Sequence, residues 1–500
     1  MSKSNTIHLW DNSWHVSQSE KPLRDMFGRE PLPLEKKDLN DKDLRPLSFS
    51  TIGELMEDES CEVLVWPNSF NEGYDELKEQ YIFRITEKNG NKIDSLTTGN
   101  VVGFIGKGNT DIRIHSRFSP KDKNDEKSND YFLYYMLEKV MSINMFSETS
   151  SKNNSKDQVF DFLLFFFPKM LKEALFQGMY KKYVYHEYND ANIRGVVDVN
   201  RHIRLNFPAN GKIAYRTREF CYDNNVTQLI RHTIEFIRRK PLGKAILHND
   251  PDTEGCVQQI IQATPTFVPQ KRQAVINDNL RPVSHPYYTK YTALQKLCLR
   301  ILRHEKLSYG TANDNKIRGL LIDAAWLWEE YVAKVLSERE NGLQHYTRKN
   351  SKFHLFSDSK GSFQPIIPDY YDEDNNIVAD AKYIPLHRSR KLDAERAAPI
   401  YYKTIMYMYR FDVSKGFLFH PCSKSDIEEM EKTNEDVIEK YKDGNVVVTT
   451  YNIEERNGCT LRKVGIVIPK DESVIDKYVT FREKMNTIEN AFSEKMSSFL

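Results

Sequence analysis

Two aspartates and a lysine, Asp369, Asp380 and Lys382, stand at a spacing that could cut a phosphodiester. Gln364-Pro365-Ile366-Ile367-Pro368 leads into Asp369, and Ile377-Val378-Ala379 leads into Asp380-Ala381-Lys382-Tyr383. Between them, residues 370–376 carry the Asp, Glu and Asn side chains that reverse a chain. A strand, a short reversal and a second strand would set Asp369 and Asp380 at neighbouring positions. The two-residue period of a strand would turn Asp380 and Lys382 to one face. Carboxylates so placed are ligands for Mg²⁺, which keeps several waters and accepts phosphate oxygens. The metal would lower the pKa of a bound water and neutralise charge on phosphorus. Lys382 would orient that water or stabilise the transition state as a point charge. The same residues could also be surface acids and a lysine in ordinary ion pairs on a hairpin.

Other segments must position this patch. Residues 319–339 carry Leu320, Leu321, Ala324, Leu327, Trp328, Tyr331, Val332 and Val335 at helical spacing and lead directly into it. Beyond it a basic stretch, 385–396, precedes a Tyr- and Met-rich helix over 397–410, then strands over 416–421 and 463–469 and a closing helix over 472–492. Residues 1 to about 118 read as β-rich, with apolar runs at 62–66, 81–85 and 101–105 and clean alternation over 111–118. Residues 103–110 look like a phosphate loop but fail the pattern, since Gly108 follows Lys107; they predict a hairpin turn. Charged linkers are expected at 121–130 and 148–157, with helices over 131–146 and 159–182.

The middle of the chain predicts strands over 194–199 and 213–216, an amphipathic helix over 225–239, weakly patterned loop and helix over 241–282, and a helix over 287–305. Residues 193–240 hold ten Lys and Arg against four Asp and Glu, a local stripe that DNA or an acidic protein surface could use. The whole 500-residue chain is balanced at a net charge of +1, so any basic surface must be local. A hydrophobic fraction of 39% supports real cores. The expected class is α/β, α+β overall: a β-rich N-terminal domain over 1–120, a mixed, mainly helical region over 121–310, and an α/β domain over 311–500. Six cysteines scattered singly argue against a zinc ribbon or disulfide framework and for a reducing cytosol. No apolar leader opens the chain, and the run 160–171 is too short to span a membrane. The expectation is a cytoplasmic protein.

The acid–lysine pattern resembles the PD-(D/E)xK nuclease superfamily, read here as Pro368-Asp369 and Asp380-Ala381-Lys382. Taken with its flanks, the chain resembles the McrC family, the nuclease subunit of modification-dependent restriction systems. Ile112–Phe118 is similar to that family's I-x-PK strand, with Ser116-Arg117 in place of Pro-Lys. Arg194-Gly195-Val196-Val197-Asp198 resembles its R-G-x-[IL]-D element, and Arg218–Asp223 with the helix after it resembles its E-[FY]-x-x-D stretch, though Thr227 stands where Asn is expected. Leu327-Trp328-Glu329-Glu330-Tyr331-Val332 is similar to L-F-E-x-[FY]-V and places Glu329 at the family's acid, with Glu330 a neighbour about 100° round the helix. Lys403 and Tyr407 fall on Q-x-x-x-Y, with Lys for Gln.

The resemblance covers about residues 100–425. It implies Mg²⁺ on Asp369 and Asp380, with Glu329 auxiliary near the metal and Lys382 acting on the water. Tyr383 would pack beside the site and His420 would be structural. It also implies that the C-terminal part cuts DNA while the N-terminal part docks into, and stimulates, a ring of a separate AAA+ GTPase that recognises and translocates DNA. The absent phosphate-loop pattern agrees with GTP binding by that partner. Two other readings remain: a non-cleaving assembly and GTPase-activating subunit, and a stand-alone type II-like endonuclease.

Overall fold

The computed structural model describes residues 5–17, 31–34, 41–58, 61–67, 78–88, 92–107, 110–119, 130–141, 155–240, 243–248, 250–307, 317–337, 343–346, 353–384, 386, 390–433, 438–469 and 478–499. Much of both expected charged linkers, and part of the basic stretch 385–396, lies outside them. Among the described residues, no helix is long and apolar enough to cross a membrane.

The chain divides into two units, Met1–Ser142 with Thr311–Leu500, and Ile143–Gly310. The first unit joins both ends of the chain through a strand that the helical reading of 319–339 missed. Ile317–Asp323 is a strand, and the helix begins only at Ala324 and runs to Ser337. That strand inserts between Val101–Lys107, antiparallel, and Glu62–Trp66, parallel, in a five-stranded sheet completed by Thr110–His115 and Asn5–Trp10. Asp323 ends it by accepting from the amides of Ala325 (2.9 Å) and Trp326 (3.2 Å), which starts the helix. Residues 1–120 therefore share a core with the C-terminal part: Ile317 and Leu321 pack with Leu9, Val65, Ile105 and Ile112.

Beside this sheet lies a four-stranded one, ordered Pro31–Leu34, Trp14–Ser17, Lys92–Thr98 and Phe83–Lys88, with its prolines on an edge strand where a missing N–H costs no ladder bond. The expected hairpin at 103–110 is present as the pair Val101–Lys107 and Thr110–His115.

A seven-stranded mixed sheet carries the acid–lysine patch. Its order is Gln344–His345, Tyr370–Asp372, Ile377–Ala381, Lys415–Cys422, Thr460–Val467, Val446–Asn452 and Ile438–Tyr441. Ile377–Ala381 runs parallel to Lys415–Cys422, and the helix Arg390–Phe411 makes the crossover that parallel strands require. All five residues of Ile377–Ala381 are buried, which is why the run is apolar without alternation. The helices Tyr131–Met141, Ala324–Ser337 and Tyr478–Ser497 meet in an aromatic cluster, where the hydroxyls of Tyr135 (2.8 Å) and Tyr331 (2.9 Å) both donate to Glu489 Oε1.

In the second unit, the helices Ser155–Phe176, Asn225–Arg238, Pro251–Ala263, Arg272–Asp278 and Thr289–Leu307 surround a buried set that includes Leu229, Ile234, Val257, Leu294 and Leu297. A three-stranded antiparallel sheet stands with them, Val196–Val197, Ile213–Cys221 and Lys182–Asp190. The expected helix over 159–182 ends at Phe176, before the strand Lys182–Asp190 begins, and most of the expected strand over 194–199 is loop leading to a short helix, Val199–Asn206.

Candidate active site

The expected strand–turn–strand unit exists but is displaced. Gly361–Pro365 pairs with His354–Asp358, not with the Asp380 strand. It is Tyr370–Asp372, read from sequence as part of the reversal, that pairs with Ile377–Ala381, around a turn at 373–376. Pro365 and Pro368 cannot donate to a ladder, whereas Tyr370 and Tyr371 favour one, and Tyr370 is wholly buried. The pairing Tyr370 to Ala379 sets Asp369 opposite Asp380 all the same. Asp369 Oδ2 accepts from the Ala381 amide at 2.7 Å. Just past the strand end, the Lys382 amide donates to the Phe419 carbonyl at 2.8 Å, and Lys382 Nζ lies 2.5 Å from Asp380 Oδ2. The patch sits at the carboxyl end of a parallel strand, where open α/β sheets hold ligands.

Asp380 is completely buried. Burial alone would raise its pKa, but Lys382, then Lys403, whose Nζ is 4.0 Å from Oδ2, pull it below the usual carboxylate range. Asp369 moves the other way: burial, then the charges of Asp380 and Glu329, raise it well above the usual range. Burial lowers the Lys382 ammonium, and the two aspartates more than offset this and keep it charged. When both carboxyls are ionised, the Asp380 oxygens have no hydrogen-bond donor among the described residues beyond the lysine contacts. A buried carboxylate with free lone pairs beside a half-buried one is a fit for a hard divalent cation. No group of three or more His, Cys, Asp or Glu able to hold a metal is found among the described residues.

Glu329 reaches this region without completing a three-acid cluster. Its carboxylate meets His345 Nε2 at 3.0 Å, and its main-chain oxygen accepts from the Tyr370 hydroxyl at 2.6 Å. Its neighbour Trp328 donates from Nε1 to the Phe419 carbonyl (3.2 Å), the same oxygen that holds the Lys382 amide. His420 is buried within its strand. Sequence reasoning missed His345, an ordinary residue on a two-residue edge strand, and left Lys403 undecided; the fold turns Lys403 to Asp380.

Exposed aromatics stand on the elements that lead to the patch and carry Lys403. Phe356 and Phe363 pair across the ribbon His354–Asp358/Gly361–Pro365, ring centroids 5.4 Å apart, and Tyr402 and Tyr409 stand exposed on the helix that carries Lys403.

A family model described as "McrBC 5-methylcytosine restriction system component" matches residues 96–421, well over half of the chain. The chain belongs to this family. Solved structures similar to it include the refined half-complex from a tetradecameric assembly of Thermococcus gammatolerans McrB AAA+ hexamers with bound McrC, at 15% identity and a TM-score of 0.44, covering 97% of this chain and 100% of that one. The cryo-EM structure of the T. gammatolerans McrBC complex is similar at 14% identity and a TM-score of 0.30, covering 69% and 89%. A search of curated proteins finds no match.

The family's R-G…D element belongs to the second unit, where it braces the small sheet. A Cβ on Gly195 would lie 2.2 Å from the Arg216 carbonyl, so only glycine permits that approach. Arg194 donates from Nε to the Tyr215 hydroxyl (3.0 Å), and Asp198 caps Val199–Asn206 while meeting Arg216 Nε at 3.3 Å. The brace leaves apolar side chains outside: Val196 is 79% exposed and Phe207 83%, with Val199, Ile203 and Leu205 also exposed among Arg201, Arg204 and Arg216.

Proposed function

We propose that this chain is the DNA-cleaving subunit of its restriction system, a Mg²⁺-dependent endonuclease that works with a separate AAA+ GTPase ring. The observation that carries the reading is the pairing of Asp369 with the buried Asp380, whose Oδ2 lies 2.5 Å from Lys382 Nζ, in a chain of this family. Asp369 and Asp380 would hold the metal, which when bound would supply a water of lowered pKa and charge neutralisation at the scissile phosphate. Lys382, kept charged by the carboxylates, donates a hydrogen bond to the attacking water or to a phosphate oxygen. Lys403 adds a second cation on the same side. Glu329, held by His345, contributes negative charge from outside the metal's ligand set. The exposed Phe356/Phe363 ribbon is of the kind the DNA major groove admits, and it feeds directly into Asp369.

The exposed apolar residues of the small sheet and of the short helix Val199–Asn206 with its cap support a protein-docking role, since side chains such as Val196 and Phe207 gain by being covered. We assign that face to the GTPase ring.

Plasmid cleavage with Mg²⁺ and GTP, using this chain, the GTPase and methylated or unmethylated DNA, tests the reading. Cleavage that needs the partner and vanishes in Asp380→Ala is the expected result. Faster GTP hydrolysis without any cleavage would leave only an activating subunit, and cleavage without the partner would make the chain a stand-alone endonuclease.

A further inference from the structure

Ser116-Arg117 stands where the resembled family commonly has Pro-Lys, and the cleavage chemistry does not use it. In the fold these two residues follow the strand Thr110–His115 and arrive at Tyr383, the residue after Lys382. Arg117 Nη1 lies 3.3 Å from the main-chain oxygen of Tyr383 and 3.3 Å from Asp11 Oδ2. Its guanidinium lies over the Tyr383 ring, Cζ 4.2 Å from the centroid. Asn12 Nδ2 gives the same carbonyl a second donor at 3.3 Å, and the Ser116 and Tyr383 hydroxyls are 3.3 Å apart. Asp11 also accepts from the Arg117 amide, which fixes the arginine's own backbone. Tyr383 is thus held at its carbonyl, its ring face and its hydroxyl, and it is buried.

Lys382 has a clamped neighbour on one side and its own amide bonded to Phe419 on the other, so the backbone that carries Nζ toward Asp380 is fixed at both ends. We infer that Arg117, seated by Asp11 and joined by Asn12, is a positioning residue for Lys382, through which the N-terminal sheet sets the geometry of the cleavage site. Arginine suits this place because Nη1 serves a carboxylate and a carbonyl together while the flat guanidinium face lies over an aromatic ring. Lysine could keep the charge but not the planar face.

The activity arm of the test rests on the nuclease reading; the structural arm does not. Full-length wild type, Arg117→Ala and Arg117→Lys would be compared by amide hydrogen exchange and, with the GTPase partner, by single-turnover cleavage. The expected result is faster exchange of the Lys382 amide by about tenfold or more in both variants, with Lys415–Cys422 and Ala324–Ser337 protected as in wild type. Cleavage at saturating DNA should fall about tenfold to a hundredfold, with the half-saturating DNA concentration unchanged. Arg117→Lys keeps a cation against Asp11 and decides the matter if Arg117→Ala does not fold. Unchanged exchange at Lys382 would overturn the inference, as would faster exchange spread evenly through the unit, which marks general loosening. A wild type that never cleaves would defeat the nuclease reading, and the exchange result would still decide the clamp.

Discussion

At the scale of residues, opposite fields act on two neighbouring carboxyls. Asp380 is buried and its neighbour Asp369 half-buried, yet Lys382 and Lys403 lower the first while Asp380 and Glu329 raise the second. Removing either Asp380 or Lys382 should cost cleavage about a thousandfold, since each leaves the other's charge buried without its partner. Lys403→Gln, which restores the side chain common in the family, should cost less than about tenfold, because Lys403 is 4.0 Å away and its side chain is nearly half exposed. Rates for the three variants under identical Mg²⁺ would check that order. A separate residue-level prediction concerns His232, whose pKa burial, then Arg272 and Arg231, lower to about 4. A histidine lowered by folding stabilises above its unfolded pKa and loses that contribution as pH falls through 4. Between pH 7 and 4.5 this amounts to roughly 2–3 kcal/mol. Denaturant melts of wild type and His232→Gln at both pH values should show a flatter pH dependence in the variant.

At the scale of elements, the patterns that sequence reveals are those of amphipathic helices, and the elements it hides are strands buried on both faces. Asn225–Arg238 was legible because its apolar and basic residues segregate at helical spacing. Its cap is as informative: Asn224 accepts from the amides of Val226 (3.0 Å) and Thr227 (3.3 Å) and donates to the Tyr180 carbonyl (3.1 Å). Asn224→Ala should therefore lower stability by about 1–2 kcal/mol, read as a shift in urea midpoint with an unchanged slope. Thr227, which departs from the family's Asn, completes the capping box from the other side. By contrast, Ile317–Asp323 carries no alternation that separates it from the helix that follows. Only its neighbours, Val101–Lys107 and Glu62–Trp66, make it a strand.

At the scale of the whole molecule, that strand ties the two ends of the sequence into one unit. A chain stopped at residue 310 would lack it, leaving two ladder edges open between Val101–Lys107 and Glu62–Trp66. Such a fragment should be insoluble or poorly folded by circular dichroism, and adding residues 311–500 in trans should rescue it. A fragment that folds cooperatively alone would contradict the shared core. The apolar face of the second unit gives another test. Val196→Asp with Phe207→Asp should leave thermal stability within a few degrees, because both side chains already face solvent, while abolishing the rise in the partner's GTP hydrolysis.

What the sequence determined by itself was local chemistry. Asp369, Asp380 and Lys382 lie within fourteen residues of one another, so one turn of chain brings them together whichever neighbouring residues form the strand. That is why the juxtaposition of these three residues was legible even though the expected pairing was displaced from Gly361–Pro365 to Tyr370–Asp372. Family membership was legible for a related reason, since short motifs keep their order along a chain. Tertiary structure alone decided everything that depends on long closure: the central strand supplied from residue 317, the turn of Lys403 toward Asp380, the seating of Glu329 by His345, and the grip of Arg117 on Tyr383 across 266 positions. Such contacts leave no periodicity in the sequence, because each is set by how separate sheets pack and not by the spacing of residues along one element.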